Sequence, residues 1–262
     1  MTTPSPAAST PTHQTLVTSQ FGPRAAAYVA SAVHAQGEDL KQLAAMVAGH
    51  SAARLLDLGC GGGHVAFNTA PHVAEVVAYD LSSEMLEAVA HAARQRGLRN
   101  IVTRQGAVES LPFPDASFDF VVTRFSAHHW RDFPAALREA RRVLKPGGRA
   151  AFADTVTPGT PLLDTYLQSI ELLRDPSHVR NYTEAEWIEA LRRAGFAPGA
   201  IARRRLRLEF TSWVERMRTP ELHVQAIRSL QARMSAEVHR HFCTEPDGSY
   251  LLDVMLVEAA PA

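Results

Sequence analysis

The chain has 262 residues, of which 46% are hydrophobic, and its 27 basic and 27 acidic side chains give a formal net charge of zero. This length can bury one large core, and the charge balance argues against nucleic acid or an anionic membrane surface as a partner. The two cysteines, Cys60 and Cys243, exclude a disulfide-rich secreted scaffold. No apolar run approaches the roughly 18 residues of a membrane span, so we predict a soluble cytoplasmic protein without stable membrane insertion.

The N-terminal segment, residues 1–15, is rich in Ser, Thr and Pro and lacks the basic start and apolar centre of a signal peptide. It is predicted to be a disordered tail. Residues 16–262 are predicted to form a single domain. That domain begins with a short helical segment at 16–31 and continues with an amphipathic helix over 38–50.

Strands and helices alternate between residues 53 and 155. Apolar runs bounded by glycine or polar residues predict five buried strands, and the periodic segments between them predict helices. The strands are predicted within 53–60, 75–82, 100–111, 118–130 and 149–155, and the helices at 64–73, 82–98 and 133–145. This alternation predicts an α/β fold with a doubly wound parallel sheet.

The pattern changes after residue 156. Two helices, at 161–175 and 183–196, are predicted on either side of the polar link DPSHVRNY. A strand at 201–210 alternates apolar residues with Arg203, Arg205 and Arg207, which is typical of an edge strand with a solvated face. A long helical region at 211–242 and a final strand at 249–259 follow. We expect the segments near 156–182 and 211–242 to form helical lid insertions.

A glycine-rich stretch, LLDLGCGGGH at residues 55–64, directly follows the first buried strand. Glycine lets main-chain N–H groups and the following helix N-terminus approach a ligand closely. Asp80 ends the next strand, 21 residues after Gly59, where a carboxylate can accept hydrogen bonds from two ribose hydroxyls. The loop and the acid together indicate a cofactor that contains adenosine.

Two details favour S-adenosylmethionine over a dinucleotide. Glycines at 59, 61 and 63 form G-x-G-x-G, whereas a dinucleotide site has its third glycine one position later, where His64 stands. In addition, Asp57 precedes the first glycine, and its carboxylate would repel a pyrophosphate but suits the ammonium group of S-adenosylmethionine. An oxidoreductase that uses a nicotinamide cofactor is therefore the less favoured alternative.

Four segments in order, LLDLGCGGG, VVAYDLSSEML, ESLPFPDASFDFVVTRFSAHHW and EARRVLKPGG, resemble the class I S-adenosylmethionine-dependent methyltransferases. More narrowly, they are similar to the branch that contains the ubiquinone and menaquinone biosynthesis methyltransferases and their uncharacterised bacterial relatives. The resemblance covers about residues 16–196. It implies a Rossmann-like, seven-stranded sheet whose last strand is antiparallel, and an N-terminal lid in which Phe21 and Tyr28 either cover the cofactor or simply pack.

The resemblance also implies a cofactor site, position by position. The family often has Asp or Thr after the third strand to bind the adenine amino group, but this chain has Ala107, so main-chain groups at Ala107 and Val108 must serve there. We expect this to cost about 1 kcal/mol, the value of one hydrogen bond. The complete set of predicted cofactor residues is Asp57, Gly59, Cys60, Gly61, Asp80, Leu81, Met85, Ala107, Val108 and Arg124.

Candidate catalytic residues follow the fourth strand and lie in the polar link. Methyl transfer mainly requires alignment in a site cleared of water, and a base is needed only if the acceptor must lose a proton. His128 and His129 are predicted to contact substrate or cofactor, or alternatively to cap the next helix and fill space. Arg180 is predicted to hold an anionic or carbonyl group of the acceptor, or alternatively to belong to a simple helix–helix turn.

The function predicted from these features is methyl transfer to a small-molecule acceptor, with oxygen or carbon as the favoured target. The alternative is a protein that binds the cofactor without transferring its methyl group. Twelve histidines are scattered without a compact three-ligand pattern, so no metal site is predicted. No nucleic acid partner is expected, and the chain is predicted to be a monomer or a homodimer.

Overall fold

The computed structural model describes residues 10–29 and 36–262. Its centre is a seven-stranded sheet with the order β3-β2-β1-β4-β5-β7-β6. The strands are β1 (Arg54–Leu58), β2 (Glu75–Asp80), β3 (Ile101–Gln105), β4 (Phe118–Arg124), β5 (Leu144–Thr155), β6 (Phe196–Leu208) and β7 (Tyr250–Pro261).

Strand β7 lies between β5 and β6 and runs antiparallel to both, whereas β1 to β5 pair in parallel. The predicted fold class, a Rossmann-like sheet whose last strand is antiparallel, is therefore confirmed. Because β1, β2 and β4 are parallel neighbours, their carboxyl ends meet at one edge of the sheet. That edge carries Asp57, Asp80 and Arg124, which are far apart in the sequence.

Helices surround this sheet and extend beyond one of its edges. They are α1 (His13–Phe21), α2 (Ala25–Val29), α3 (Glu38–Val47), α4 (His64–Thr69), α5 (Ser83–Gln95), α6 (Phe133–Val143), α7 (Pro161–Arg174), α8 (Glu184–Arg193), α9 (Phe210–Met217), α10 (Glu221–Arg233) and α11 (Ala236–Phe242). Within the described ranges, no helix is both long and apolar enough to cross a membrane.

Two apolar cores lie on opposite faces of the sheet. Leu56 and Val121 pack into one core, and their sequence neighbours Leu55 and Val122 pack into the other. Because both faces are covered, the central strands are apolar at nearly every position rather than at alternate ones. A third core joins α7 to the C-terminal helices and includes Trp213. Helices α7, α9, α10 and α11 pack on the ends of β6 and β7, and we call these four helices the cap.

The start of the chain differs from the prediction of a tail over 1–15. Helix α1 begins at His13, and the Thr12 hydroxyl caps it by accepting a hydrogen bond from the N–H of Thr15 at 3.2 Å. Residues 1–9 lie outside the described residues, as do residues 30–31 of the predicted first helical segment. The prediction placed the start of this helix three residues too late because Ser and Thr favour caps as much as loops.

Three element boundaries also differ from the prediction. The region 211–242 is three helices and not one, because Arg218 adopts a left-handed conformation and Pro220 precedes α10. Strand β6 ends at Leu208 because the Glu209 carboxylate caps α9 through the N–H groups of Thr211 and Ser212. Strand β5 starts at Leu144 and not at residue 149, so the Pro-Gly-Gly at residues 146–148 lies inside the strand.

The arginine-rich strand β6 lies at the edge of the sheet, as predicted. Arg203 pairs with Glu184 at 2.6 Å and Arg205 with Asp253 at 3.0 Å. These ion pairs are largely exposed and contribute little to stability.

Candidate functional site

The glycine loop after β1 has a backbone that side chains would obstruct. Gly59, Gly61 and Gly63 all have positive φ, of 65°, 48° and 77°. A Cβ added to Gly59 would lie 1.8 Å from the Oγ of Ser126, so the loop after β1 contacts the loop after β4 directly. The glycines therefore close two loops against each other as well as opening space for a ligand.

Asp80 is held at the end of β2 by the glycine loop. Its Oδ2 accepts a hydrogen bond from the N–H of Gly61 at 2.9 Å, and its Oδ1 accepts one from the N–H of Ser82 at 3.0 Å. Burial raises the pKa of Asp80, while these two bonds oppose the rise. A carboxylate has further lone pairs, so Asp80 can still accept bonds from a diol.

Asp57 is buried at the end of β1, with 1% of its surface exposed. Its Oδ2 accepts a hydrogen bond from the N–H of Ala66 in α4 at 3.2 Å. Burial raises the pKa of Asp57 to about 7, and the nearby Asp80 adds to this effect. A cationic ligand beside Asp57 would stabilise its ionised form.

All ten residues predicted to bind the cofactor line one cavity, which we call the first cavity. Leu81, Met85 and Val108 give it an apolar wall suited to a flat ring. At the expected adenine end, the Tyr79 hydroxyl donates to the carbonyl of Ala107 at 3.2 Å and so fixes the loop after β3.

The sequence reasoning missed several residues that line the first cavity: His13, Gln14 and Val17 of α1, together with His64 and Glu109. The Glu109 carboxylate accepts bonds from the N–H groups of Arg131 and Asp132 at 3.1 and 3.3 Å, which joins the loops after β3 and β4. The Trp130 indole donates to the Ser126 hydroxyl at 3.0 Å. The spacing of four between Ser126 and Trp130 was a weak signal for this pair.

A second cavity adjoins the first, and Phe21, Tyr28, Arg124, Phe125 and His129 line both. Helices α1 and α2 therefore contribute to the cofactor side and to the neighbouring space. The remaining walls come from the end of β5, from the cap and from strands β6 and β7. This is the position at which a second substrate would meet a cofactor in the first cavity.

His128 lines the second cavity, and its ring is held by a buried carboxylate. The Nδ1 atom lies 2.6 Å from Oδ1 of Asp154, which also accepts a bond from the N–H of Thr155. Burial disfavours a charged histidine, but the Asp154 carboxylate outweighs it and raises the pKa of His128 above its ordinary value. In turn, Asp154 is fully buried yet has a lowered pKa, because His128 and two main-chain N–H groups stabilise its charge.

Two further histidines, His129 and His178, lie near His128, but their pKa values are lowered where that of His128 is raised. Burial and the proximity of His128 lower the pKa of His129 to about 4 and the pKa of His178 to about 2. The His129 ring lies with Nδ1 3.0 Å from the carbonyl of Ser177, and the His178 ring with Nε2 2.9 Å from Oε1 of Gln168. Both rings are neutral near pH 7, so His128 differs from them in its proton affinity.

Arg124 and Arg180 make contacts that the sequence did not reveal. The Arg124 guanidinium pairs with Asp39 of α3 at 2.5 Å while lining both cavities. Arg180 is not among the lining residues of either cavity, and it pairs with Asp164 at 3.1 Å and Glu186 at 3.4 Å. Its main-chain N–H donates to the carbonyl of His128 at 3.2 Å, so Arg180 supports the His128 loop through its backbone.

The donor set of the first cavity fits S-adenosylmethionine. The carboxylates of Asp57 and Asp80 suit an ammonium group and a ribose diol, and they would repel a diphosphate. Among residues 10–29 and 36–262, no group of three or more His, Cys, Asp or Glu side chains is arranged to hold a metal ion.

Comparisons with known proteins agree with this geometry. A family profile described as a methyltransferase domain matches residues 56–152. The uncharacterized protein YafE of Escherichia coli K12 is 50% identical over 200 residues, which are 76% of this chain and 97% of YafE. A 2-phytyl-1,4-naphtoquinone methyltransferase of Synechococcus elongatus is 39% identical over 119 residues, 44% of this chain and 51% of that protein.

The uncharacterized methyltransferase YcgJ of Bacillus subtilis is similar along most of its length. It is 36% identical over 223 residues, which are 85% of this chain and 88% of YcgJ. The crystal structure of YcgJ matches with a TM-score of 0.81 at 34% identity, over 85% of this chain and 97% of that one. This chain therefore belongs to the S-adenosylmethionine-dependent methyltransferase family, as its four motifs predicted.

Proposed function

We propose that this protein transfers the methyl group of S-adenosylmethionine to an oxygen or carbon atom of a small molecule that occupies the second cavity. One observation carries the proposal: His128, paired with the buried Asp154, lines the cavity that adjoins the cofactor residues. When bound, the cofactor supplies a methyl group on a positively charged sulfur, and this sulfur leaves the methyl carbon as an acceptor atom bonds to the opposite side of that carbon. The quinone methyltransferase named above supports a small-molecule acceptor.

His128 is proposed to be the general base. Because Asp154 keeps its charge, the Nδ1–H of a neutral His128 donates to it, and Nε2 remains a proton acceptor. A hydroxyl or acidic C–H group of the acceptor would lose its proton to Nε2, and Asp154 would stabilise the resulting imidazolium. The low pKa values of His129 and His178 support the choice of His128, since those rings accept protons poorly.

The residues of the first cavity are proposed to bind and orient the cofactor. Asp80 would accept bonds from the ribose hydroxyls and Asp57 would face the ammonium group. Leu81, Met85 and Val108 would contact the adenine. Phe21 and Tyr28 line both cavities, which supports a role in excluding water from the place where cofactor and acceptor meet.

The first test is calorimetric titration of the purified protein with S-adenosylhomocysteine, with NAD as the control. We expect micromolar binding of the first compound and none of the second, and the reverse result would contradict the proposal.

The second test is transfer of a labelled methyl group to a panel of phenols, hydroquinones and enolisable carbonyl compounds. Tight cofactor binding without transfer to any acceptor would favour the alternative of a binding protein without chemistry.

A further inference from the structure

The wall of the second cavity includes a guanidinium for which the described residues supply no hydrogen bond or ion pair. Arg216 of α9 lines this cavity, and no described residue makes a hydrogen bond or ion pair with its side chain. Its Nε atom is fully buried without an acceptor. Burial, followed by the proximity of Arg174, lowers the pKa of Arg216. An unpartnered cation in such surroundings is costly, so a ligand that supplies negative charge would be stabilised here.

None of the acidic groups that line this cavity forms an ion pair with Arg216 among the described residues. Glu171 accepts a bond from the Tyr250 hydroxyl at 3.1 Å and pairs with Arg174 at 3.5 Å. The Oδ1 atom of Asp175 accepts bonds from the N–H and hydroxyl of Ser177 at 2.9 and 2.6 Å, whereas its buried Oδ2 atom has no hydrogen-bond partner among the described residues. The other carboxylates that line the cavity are Glu38 and Asp39, and Asp39 is paired with Arg124.

Arg174 places a second cation on the same wall. Its Nε donates to the carbonyl of Trp213 at 3.0 Å, and its guanidinium carbon lies 5.1 Å from the centre of the Trp213 ring. Glu171 pairs with Arg174, so Arg216 is the one of these two arginines that forms no ion pair among the described residues. The single charge of its guanidinium matches a carboxylate better than a phosphate, which carries nearly two.

Much of the remaining wall beside these arginines is apolar and includes Leu206, Leu208, Trp213, Leu252 and Val254. A ligand that fits both features has a hydrophobic body and one anionic end. The planar fork of a guanidinium binds a carboxylate through two parallel N–H···O bonds. His128 lines the same cavity, so one molecule can present its reacting atom to His128 and its anionic end to Arg216.

We propose that Arg216, assisted by Arg174, binds a carboxylate of the methyl acceptor, so that the acceptor is a hydrophobic carboxylic acid. This proposal rests on the proposed function only in identifying the ligand of the second cavity as the methyl acceptor. The anion site itself can be tested with or without cofactor.

The test uses two probes of nearly equal shape, 3-phenylpropionate and its neutral amide. Each is titrated calorimetrically into the full chain, with and without saturating S-adenosylhomocysteine. We expect the carboxylate to bind about tenfold or more tightly than the amide, the preference typical of a charged hydrogen-bonded pair. Equal affinities, or no binding of the carboxylate at millimolar concentration, would overturn the proposal.

Substitutions at Arg216 test whether this residue causes the preference for the carboxylate over the amide. Arg216→Gln should abolish it, and Arg216→Lys should retain part of it, because the charge remains but the fork is lost. Arg233→Gln is the matched control, since Arg233 is an exposed residue at the end of α10, and it should behave as the unmodified protein. A preference that survives Arg216→Gln would contradict the proposal.

The same titrations separate the two hypotheses. S-adenosylhomocysteine should bind Arg216→Gln within about twofold of the unmodified protein, and a melting curve verifies that the variant is folded. If S-adenosylhomocysteine fails to bind any form of the protein, the proposed function is wrong, while the carboxylate preference still decides the anion site. If it binds but the probes show no preference, only the anion site is wrong.

Discussion

The two adjoining cavities are built from different kinds of sequence. The first is lined mostly by loops that follow β1 to β4. Its predicted cofactor residues, apart from Met85, lie within three residues of a strand end. The second is lined by residues from α1, α2, α3, α7, α9 and four strands, spread between Phe21 and Val254. The first site depends on local backbone geometry, which motifs report, whereas the second depends on long-range packing. A fold of this kind can keep one cofactor site and vary its acceptor site.

This contrast can be sharpened with variants that affect one cavity and leave the other unchanged. The largest expected effect concerns turnover. His128→Ala should lower kcat by about 10²- to 10⁴-fold, the usual contribution of a general base, and leave the affinity for S-adenosylhomocysteine unchanged. His239→Ala, at an exposed position in α11, is the control. Unchanged turnover measured with an identified acceptor would assign His128 a structural role only.

The next effect concerns the glycine loop. Gly59→Ala combines a positive φ of 65° with a Cβ that would meet the Ser126 side chain, so we expect it to prevent cofactor binding or to destabilise the fold by about 3 kcal/mol or more. Gly97→Ala is a matched control, because φ is 71° but no atom lies within 4 Å of the added Cβ. Similar melting temperatures and cofactor affinities for the two variants would show that the contact between the loops is unimportant.

A smaller effect is expected at the ribose end of the first cavity. Asp80→Ala should weaken the binding of S-adenosylhomocysteine by about 1–3 kcal/mol, the range for hydrogen bonds to a charged acceptor. Binding of 3-phenylpropionate in the second cavity should not change. Calorimetry measures both, and an unaltered cofactor affinity would refute the assignment of Asp80 to the ribose.

The smallest effect is a pH dependence of cofactor binding. Because the pKa of Asp57 is raised to about 7 in the free protein, a cationic amino group must displace a proton from Asp57 at lower pH. The affinity for S-adenosylhomocysteine should therefore rise with pH below 7 and level off above it, with a gain of about tenfold between pH 6 and 8. Asp57→Asn should flatten this profile, and an equal slope in the variant would exclude Asp57 as the titrating group.

The cofactor half of the molecule could be predicted closely from the sequence. Strand–glycine–helix turns are local, and the acid at residue 80 follows at a spacing that the strand length dictates, so neighbouring residues in the chain contain the information. All ten predicted cofactor residues line the first cavity for this reason. Arg124 was found without its partner Asp39, because the two are 85 positions apart and only the packing of α3 brings them together.

The acceptor half was predicted less well. Arg180 was expected to bind a substrate group, yet it pairs with Asp164 and Glu186. Arg216, by contrast, lies in a helical stretch that carries no motif, and nothing in its neighbours indicates that its guanidinium is buried. Whether an arginine is exposed, paired or facing a cavity depends on elements distant in the chain.

The sequence by itself determined the class of fold and the cofactor, and it predicted the glycine loop that lines the first cavity, because backbone conformation and strand order follow from local composition and spacing. Only the tertiary structure decided that His128 is paired with a buried carboxylate and that Arg216 lines the second cavity without an ion pair among the described residues. Those properties are sums of burial and charge over many distant residues. They exist only once β5, α7 and α9 have packed around one cavity.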